Sequence, residues 1–432
     1  MTHITARSDT PRTTAWAFFG AFVLACLLFW WLPSILFRLF RLDDPVQNWA
    51  LWVSFLGISA FAAGYFLPPI RFKSLFSPQL TDTCETVSYK ATLWMALPAL
   101  ALALQFFFSR SSVEYGQGEN ISFLHQVVLY THMFFAFLFL GAARTSSQER
   151  RRAIVVSVLA IAPRLIISLR WGRFFLAQAI IPIVFIVLAR GWLRLSRKRV
   201  LQLGALAVFV IFVPALSRGD SFFGQDEALT FFQSGSSLRL FQDNLELNSA
   251  ERCPPLLVSM TAKLVPYGLL DICTMEYKGM KGTPATLDRI LTENDPRNEG
   301  TLYGTGSNYL LELYLTGGIG AIILGSILFG FTSRCFVYWV GERSLFAGIW
   351  AECLSRALFA PRSTLGYVYE RIPTLLLATL MMIGLIWLAY VQAQALLQGG
   401  SEDAQSRPAP AHRLRELESC ELSTCTGNSK LR

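Results

Sequence analysis

The chain has 432 residues, of which 53% are hydrophobic and only 16% are charged, and its mean hydropathy is +0.43. This composition leaves too little polar surface to cover a soluble globule, so it excludes an ordinary water-soluble protein. The formal charge of +9 lies in short basic clusters between apolar runs, which is typical of membrane-protein loops. The sequence therefore predicts a membrane protein, with no nucleic-acid partner.

Apolar runs of membrane-spanning length recur along the chain. A helix needs about 17 to 25 residues to cross the hydrocarbon core of a bilayer. The first run is longer than the core of a signal peptide and is expected to stay in the mature protein. We predict an all-α polytopic fold of about ten spans. These lie near residues 15–40, 47–69, 91–108, 121–143, 153–169, 174–192, 200–216, 309–331, 344–360 and 372–396.

Three basic loops set the predicted orientation. They follow the second, fourth and sixth spans and contain Arg71, Lys73, Lys90, Arg144, Arg150, Arg151, Arg152, Arg190, Arg194, Arg197, Lys198 and Arg199. Basic loops remain cytoplasmic, and an even number of crossings joins each to the next. The span at 200–216 then carries the chain outward, so residues 217–308 are predicted to form one large periplasmic loop.

The chain is thus predicted to have four parts. Residues 1–216 form an N-terminal bundle of about seven transmembrane helices, and residues 217–308 form the loop. Residues 309–396 form the C-terminal transmembrane helices, and residues 397–432 form a disordered cytoplasmic tail rich in Pro, Ser and Glu. Two cysteines, Cys253 and Cys273, share the loop and either pair in an oxidising periplasm or remain free thiols.

Arginines on the outer side of the middle spans break the positive-inside rule. Arg164, Arg170 and Arg173 lie in the hairpin of the fifth and sixth spans, and Arg218 follows the seventh. The planar guanidinium suits a phosphate or a diphosphate, which makes these residues candidates for an anion site. The alternative is that they snorkel to lipid headgroups.

A glycine-rich motif opens the eighth predicted span. It runs from Gly304 to Gly320 and contains Asn308 and Glu312, which share a helix face near the outer surface. Glu312 is a candidate to accept a proton or to hold an arginine. The alternative interpretation is a cap residue followed by a packing carboxylate. Gly317, Gly318 and Gly320 are predicted to let a neighbouring helix approach closely.

Charged residues also occur in the ninth predicted span, which makes it the weakest of the ten. Glu352 and Arg356 have the i, i+4 spacing of a helical ion pair, and Arg362 and Arg371 follow at the outer end. Arg356 and Arg362 either complete the anion site or serve a structural ion pair. No nucleotide-binding loop and no metal-ligand spacing is visible in the sequence, so we predict neither a metal nor another cofactor.

The motif resembles a signature of a known family. The residues from Gly306-Ser307-Asn308-Tyr309 through Glu312 to Gly320 are similar to the segment that follows the large periplasmic loop in Wzy-type O-antigen polymerases and in the related O-antigen ligases. The ligases usually have a histidine before the asparagine, where this chain has Ser307, and this difference favours a polymerase. The resemblance also adds Arg289, which precedes Gly300 with a spacing similar to that in some polymerase loops.

The resemblance implies a function. It implies a GT-C-like membrane glycosyltransferase of the bacterial inner membrane. Such an enzyme joins polyprenyl-diphosphate-linked oligosaccharide repeat units into an O-antigen or a xanthan-like exopolysaccharide, without a metal. The resemblance favours Arg164, Arg170, Arg173 and Arg289 as diphosphate-binding arginines. Combined with the residue patterns above, it leads us to predict that Arg170, Arg173, Arg289 and Glu312 are catalytic and that Arg164, Arg218, Asn308, Arg356 and Arg362 bind substrate. Membrane lipids, a chain-length regulator and a flippase are the implied partners. The alternatives are an O-antigen ligase and a lipid-linked oligosaccharide flippase.

Overall fold

The computed structural model describes residues 10–39, 47–71, 76–109, 123–144, 146–169, 173–192, 241–242, 254–262, 272–277, 279–294 and 308–405. The described residues are mostly helical, as the apolar runs predict. The chain divides into two compact units, Met1–Met381 and Met382–Arg432.

The N-terminal part is a series of apolar helices. They are α1 (Thr10–Cys26), α2 (Leu32–Leu39), α3 (Asn48–Tyr65), α4 (Pro78–Ser109), α5 (Phe123–Ala142), α6 (Ser147–Ser168) and α7 (Arg173–Ala189). A π-helical turn, Leu27–Trp31, joins α1 to α2, so together they form the first predicted span. The other helices correspond to the second to sixth predicted spans. However, α4 begins at Pro78, well before the predicted start at residue 91, so Lys90 lies in this helix and not in the predicted loop. The seventh, at 200–216, lies outside the described residues.

The described part of the large loop contains both helix and strand. It comprises α8 (Pro255–Thr261), the antiparallel strands β1 (Thr274–Tyr277) and β2 (Met280–Pro284), and α9 (Leu287–Asn294). Between the strands, Gly279 has a φ of 75°, which only glycine adopts readily. This hairpin corrects the all-α prediction. Cys273 is disulfide-bonded, but Cys253 lies outside the described residues, so their pairing stays a prediction.

The C-terminal part corrects two predicted boundaries. Its helices are α10 (Tyr309–Gly341), α11 (Ala347–Ala357), α12 (Leu365–Tyr369) and α13 (Ile372–Gln405). Because α11 has 11 residues, it is roughly 16 Å long and cannot cross a core of about 30 Å. The ninth predicted span is therefore not a single crossing helix. In addition, α13 continues past the predicted end of the last span at residue 396.

The eighth predicted span is a helical hairpin, because α10 is interrupted at Gly317 and Gly318. Gly318 has φ 66° and ψ −154°, a conformation that essentially only glycine adopts. The rings of Tyr309 and Phe329 lie 5.5 Å apart, although 20 residues of straight helix would separate them by about 30 Å. Residues 309–316, the short arm, therefore fold back along residues 319–341, the long arm.

The long arm packs closely on α3. A Cβ on Gly64 would overlap the carbonyl oxygen of Ile327, and one on Gly330 would overlap the carbonyl oxygen of Phe61. The glycine-rich motif predicts this close helix contact at Gly317, Gly318 and Gly320, and that prediction is wrong. A Cβ on Gly318 or Gly320 would meet nothing within 4 Å, so the Gly317–Gly318 pair provides the chain reversal and not the close approach.

Polar loops gather at the ends of α4, α5, α7 and α10. The Arg343 guanidinium donates to Asp82 at 2.5 Å and to Glu85 at 2.8 Å, and Arg144 also pairs with Asp82. Arg190 donates to the carbonyl oxygen of Gly141. The segments around Arg144, Arg190 and Arg343 therefore share one end of the bundle. The basic loops predict this shared end for Arg144 and Arg190.

Large apolar side chains cover the outside of the helices. Trp94 is 82% exposed and Trp52 72%, which a bilayer tolerates and water does not. By length and composition, four helical segments in the described part could cross a membrane: Thr13–Trp31, Pro78–Phe108, Tyr309–Gly341 and Leu365–Ala393. Within Tyr309–Gly341 this applies to the long arm alone, since the short arm folds back along it. These features indicate an integral membrane protein.

Candidate active site

Glu312, on the short arm, connects the hairpin to α12. Its side chain is fully buried, and its Oε2 accepts hydrogen bonds from the backbone N–H groups of Leu365 at 2.6 Å and Gly366 at 3.3 Å. Thr364 caps the same turn by accepting from the N–H of Tyr367 at 3.0 Å. Charge-assisted bonds of this kind are stronger than neutral ones. The carboxylate therefore fixes where α12 begins.

Arg356 is buried beneath α12. Its side chain is 1% exposed, its Nε donates to Glu352 at 3.0 Å, and an ion pair of 3.6 Å joins it to Glu370. Its Nη1 donates to the backbone carbonyl oxygen of Tyr367 at 2.8 Å. The guanidinium also lies 4.4 Å from the centre of the Tyr367 side-chain ring. Its Nη2 is buried without a hydrogen-bond partner among the described residues.

Two further guanidinium groups meet at Tyr130 of α5. Arg164 of α6 is 5% exposed and lies 4.9 Å from the centre of the ring. Arg371, at the start of α13, is 37% exposed and lies 5.8 Å from the same centre. Arg371 is also 3.9 Å from Glu370, which connects it to Arg356.

These contacts define one cluster, the arginine cluster, made of Tyr130, Arg164, Glu352, Arg356, Tyr367, Glu370 and Arg371. Gln178 of α7 borders it by donating to the Tyr367 hydroxyl at 3.3 Å. Three guanidinium groups face two carboxylates, so the cluster carries excess positive charge. Buried charges within a membrane protein usually mark a binding site or a wet cavity. This arrangement suits an anion with several oxygen atoms, such as a diphosphate.

The structure separates the predicted site residues into groups. Arg164 and Arg356 belong to the arginine cluster. Arg362 is exposed and lies 5.8 Å from the ring centre of Phe29. Arg289 donates to the carbonyl oxygen of Pro284 at 3.0 Å, within the loop. Arg173 begins α7; its side chain, like Arg170 and Arg218, lies outside the described residues.

The contacts of the glycine-rich motif agree with the alternative interpretation, a cap residue followed by a packing carboxylate. The side-chain oxygen of Asn308 accepts from the N–H of Leu310 at 2.8 Å, so this residue caps the short arm. Asn308 and Glu312 are both fully buried, because the hairpin carries the start of α10 into the protein interior.

Sequence reasoning missed several members of the cluster. Tyr130 and Tyr367, like the bordering Gln178, show no signal in the sequence, because aromatic residues and lone amides are common in apolar helices. Glu370 and Arg371 did provide a signal, since two adjacent charges stand directly before the apolar run of α13. In the described part of the chain, no group of three or more His, Cys, Asp or Glu is arranged to hold a metal ion.

Apolar helices around a buried cationic cluster define an integral membrane protein with a candidate anion site. In the comparison with protein families, residues 291–391 match the model for O-antigen polysaccharide polymerase Wzy. This segment contains α10 to α12 and most of α13, and with them Glu312, Arg356 and Arg371. The match confirms the predicted resemblance and supports a Wzy-type polymerase of O-antigen repeat units. Searches of curated proteins and of solved structures found no match.

Proposed function

We propose that this protein joins polyprenyl-diphosphate-linked oligosaccharide repeat units into an O-antigen or a xanthan-like exopolysaccharide at the periplasmic face of the bacterial inner membrane. The observation that carries the proposal is the arginine cluster. It holds three guanidinium groups close together, and the Nη2 of Arg356 has no partner among the described residues. The diphosphate of a lipid carrier would supply the missing acceptor oxygens.

The reaction needs charge stabilisation at the leaving group. A hydroxyl oxygen of one repeat unit attacks the anomeric carbon of the sugar on the other lipid carrier. The bond from that carbon to the diphosphate oxygen breaks, and the diphosphate leaves with the electron pair. Fixed guanidinium groups stabilise the developing negative charge. They would supply the stabilisation that a metal ion gives in other glycosyl transfers, so we propose a metal-independent enzyme.

A carboxylate must take the proton from the attacking hydroxyl. Glu370 fits this task because it is 23% exposed and lies 3.6 Å from Arg356 and 3.9 Å from Arg371. Glu312, in contrast, is buried and engaged by two backbone N–H groups. We therefore propose Glu312 as a positioning residue, which acts through α12 on Tyr367 and Arg356.

The other predicted arginines extend the site. We propose that Arg170 and Arg173 lie next to the arginine cluster, because in the sequence they stand between Arg164 of α6 and Gln178 of α7. We propose that Arg218, Arg289 and Arg362 contact the saccharide or the diphosphate as it enters. The loop helix α8 packs directly on α12, because a Cβ on Gly366 of α12 would overlap Ser259 of α8. This contact supports the proposal that the large loop covers the site at α12.

A flippase for the same lipid-linked substrate is the second candidate. The interruption of α10 at Gly317 and Gly318 favours it, because discontinuous helices are typical of transporters. A flippase would not require a proton acceptor beside the cationic cluster.

Membrane sidedness can be tested by cysteine labelling. In intact cells, a Thr283→Cys variant should react with a membrane-impermeant thiol reagent, because residues 217–308 are proposed to be periplasmic. A Ser147→Cys variant, at the start of α6, should react only after the cells are opened. Both variants need a background without other reactive thiols. The reversed pattern would overturn the proposed orientation.

The polymerase proposal is tested by deleting the gene and complementing it. Deletion should leave single repeat units on the lipid carrier at the periplasmic face, since transport continues and polymerisation stops. Complementation with Arg371→Lys should shorten the polymer ladder on a gel and slow polymerisation by roughly tenfold or more, because lysine keeps the charge but loses the bidentate geometry.

Arg151→Ala is the matched control, since Arg151 is an exposed arginine of α6, and it should restore the full ladder. Membrane abundance of each variant must be equal. Repeat units that accumulate at the cytoplasmic face would identify a flippase instead. A full ladder from Arg371→Lys would remove Arg371 from the site.

A further inference from the structure

A second candidate binding site lies on the lipid-facing side of the bundle, away from the arginine cluster. A cleft of about 430 Å³ lies between the α1–α2 segment and α3. It is lined by Trp31, Ser34, Ile35, Arg38, Asn48, Leu51, Trp52 and Phe55. Ile35 is 55% exposed and Phe55 50%, so the apolar wall is open to the membrane. We call this cleft the aromatic groove.

One end of the aromatic groove is polar. The guanidinium of Arg38, at the end of α2, donates to the side-chain oxygen of Asn48 at 2.9 Å. This end faces the large loop, because the N–H of the adjacent Gln47 donates to Gln242 at 2.8 Å. The groove thus has the charge pattern of an anionic lipid: a cation at headgroup level and aromatic rings along the chain.

A polar group inside the groove also lacks a partner. Ser34 lines the groove and is 3% exposed, and its hydroxyl has no hydrogen-bond partner among the described residues. A buried hydroxyl left unpaired costs free energy unless a ligand or water satisfies it. The π-helical turn Leu27–Trp31, whose last residue also lines the groove, is a second indication, because such turns occur frequently at functional sites.

We infer that the aromatic groove binds a phosphate-bearing polyprenyl lipid, with the phosphate at Arg38 and the isoprenoid chain along Trp52 and Phe55. The inference rests on the proposed function: joining two lipid-linked substrates requires two lipid phosphate sites, and the arginine cluster accounts for one.

The test is lipid binding to the purified full-length protein in detergent, followed by native mass spectrometry. The probe is undecaprenyl monophosphate, and phosphatidylglycerol is the competitor. Wild-type protein should bind two molecules of the probe. Arg38→Ala and Ser34→Leu should each lose one, with affinity at the groove falling by roughly tenfold or more. Arg371→Ala should lose the other.

Matched controls separate binding from folding. Arg150→Ala removes an exposed arginine elsewhere and should keep both lipids. Trp52→Ala should weaken binding at the groove, whereas Trp94→Ala, which removes another exposed indole, should not. Unchanged binding in both Arg38→Ala and Ser34→Leu, or equal displacement by phosphatidylglycerol, would overturn the inference and leave the proposed function intact. If Arg38→Ala loses a lipid while Arg371→Ala and Arg164→Ala do not, the lipid site in the groove is supported and the proposed diphosphate site at the arginine cluster is contradicted.

Discussion

Replacing Gly64 or Gly330 with alanine should destabilise the protein more than any other small substitution on α3 or α10. An added Cβ at either position would overlap a backbone carbonyl oxygen of the facing helix. Backbone atoms cannot move aside as a flexible side chain can, so the two helices must separate. We expect each variant to lose about 3 kcal/mol or more of folding free energy, measured by thermal or denaturant unfolding in detergent.

The control is Gly320→Ala in the long arm. A Cβ there meets nothing within 4 Å, and alanine favours helix over glycine by about 0.5–1 kcal/mol. This variant should therefore be as stable as the wild type or more so. Equal losses in all three variants would show that the glycines act through local backbone freedom and not through helix contact.

Replacing Arg356 with alanine should abolish polymer and destabilise the fold. The residue is 1% exposed and pairs with two acidic side chains, Glu352 and Glu370. Removing it leaves Glu352 without its ion-pair partner in a low-dielectric interior, whereas Glu370 keeps Arg371. Breaking a buried ion pair from one side costs about 3–5 kcal/mol. The measurements are the unfolding transition of the purified protein and the polymer ladder at matched membrane abundance.

A double variant separates the structural effect from the chemical one. Arg356→Met combined with Glu352→Leu removes both members of the tighter pair, and replacing a buried pair by apolar residues is often neutral. Stability should then recover in large part, while the ladder should remain absent because the diphosphate lacks its guanidinium. A double variant that restores polymer would show that Arg356 is only structural.

The hairpin of α10 explains how distant features act on one site. The short arm brings Glu312 to the first N–H groups of α12, and α12 in turn carries Tyr367, whose carbonyl oxygen receives Arg356. The glycines at the turn, the buried carboxylate and the guanidinium are thus steps of one chain of contacts. The residues that make these contacts lie within the segment that matches the polymerase family.

Several features follow from the sequence alone. Apolar runs long enough to cross a bilayer predict that α3 to α7 exist, because burial in lipid depends on composition and length. The start of α4 was missed, since its first turns are polar and carry no hydropathy signal. The basic loops predict that Arg144 and Arg190 share one end of the bundle. The polymerase resemblance follows from the residues around Asn308 and Glu312, and Arg164 and Arg356 were identified because charges within apolar runs are costly.

Other features were decided only by tertiary structure. Hydropathy cannot distinguish a crossing helix from a hairpin. For this reason the segment that reverses at Gly318 and the segment that contains the short α11 were both predicted to be single spans. Equally, no local pattern tells which glycine faces a neighbouring backbone, and Gly64 and Gly330 differ from Gly320 only in what lies opposite them. The arginine cluster joins α5, α6, α11, α12 and α13 across more than 200 positions of sequence. Its members act together because helix packing brings their charges within a few ångströms, and neither spacing nor composition encodes that distance.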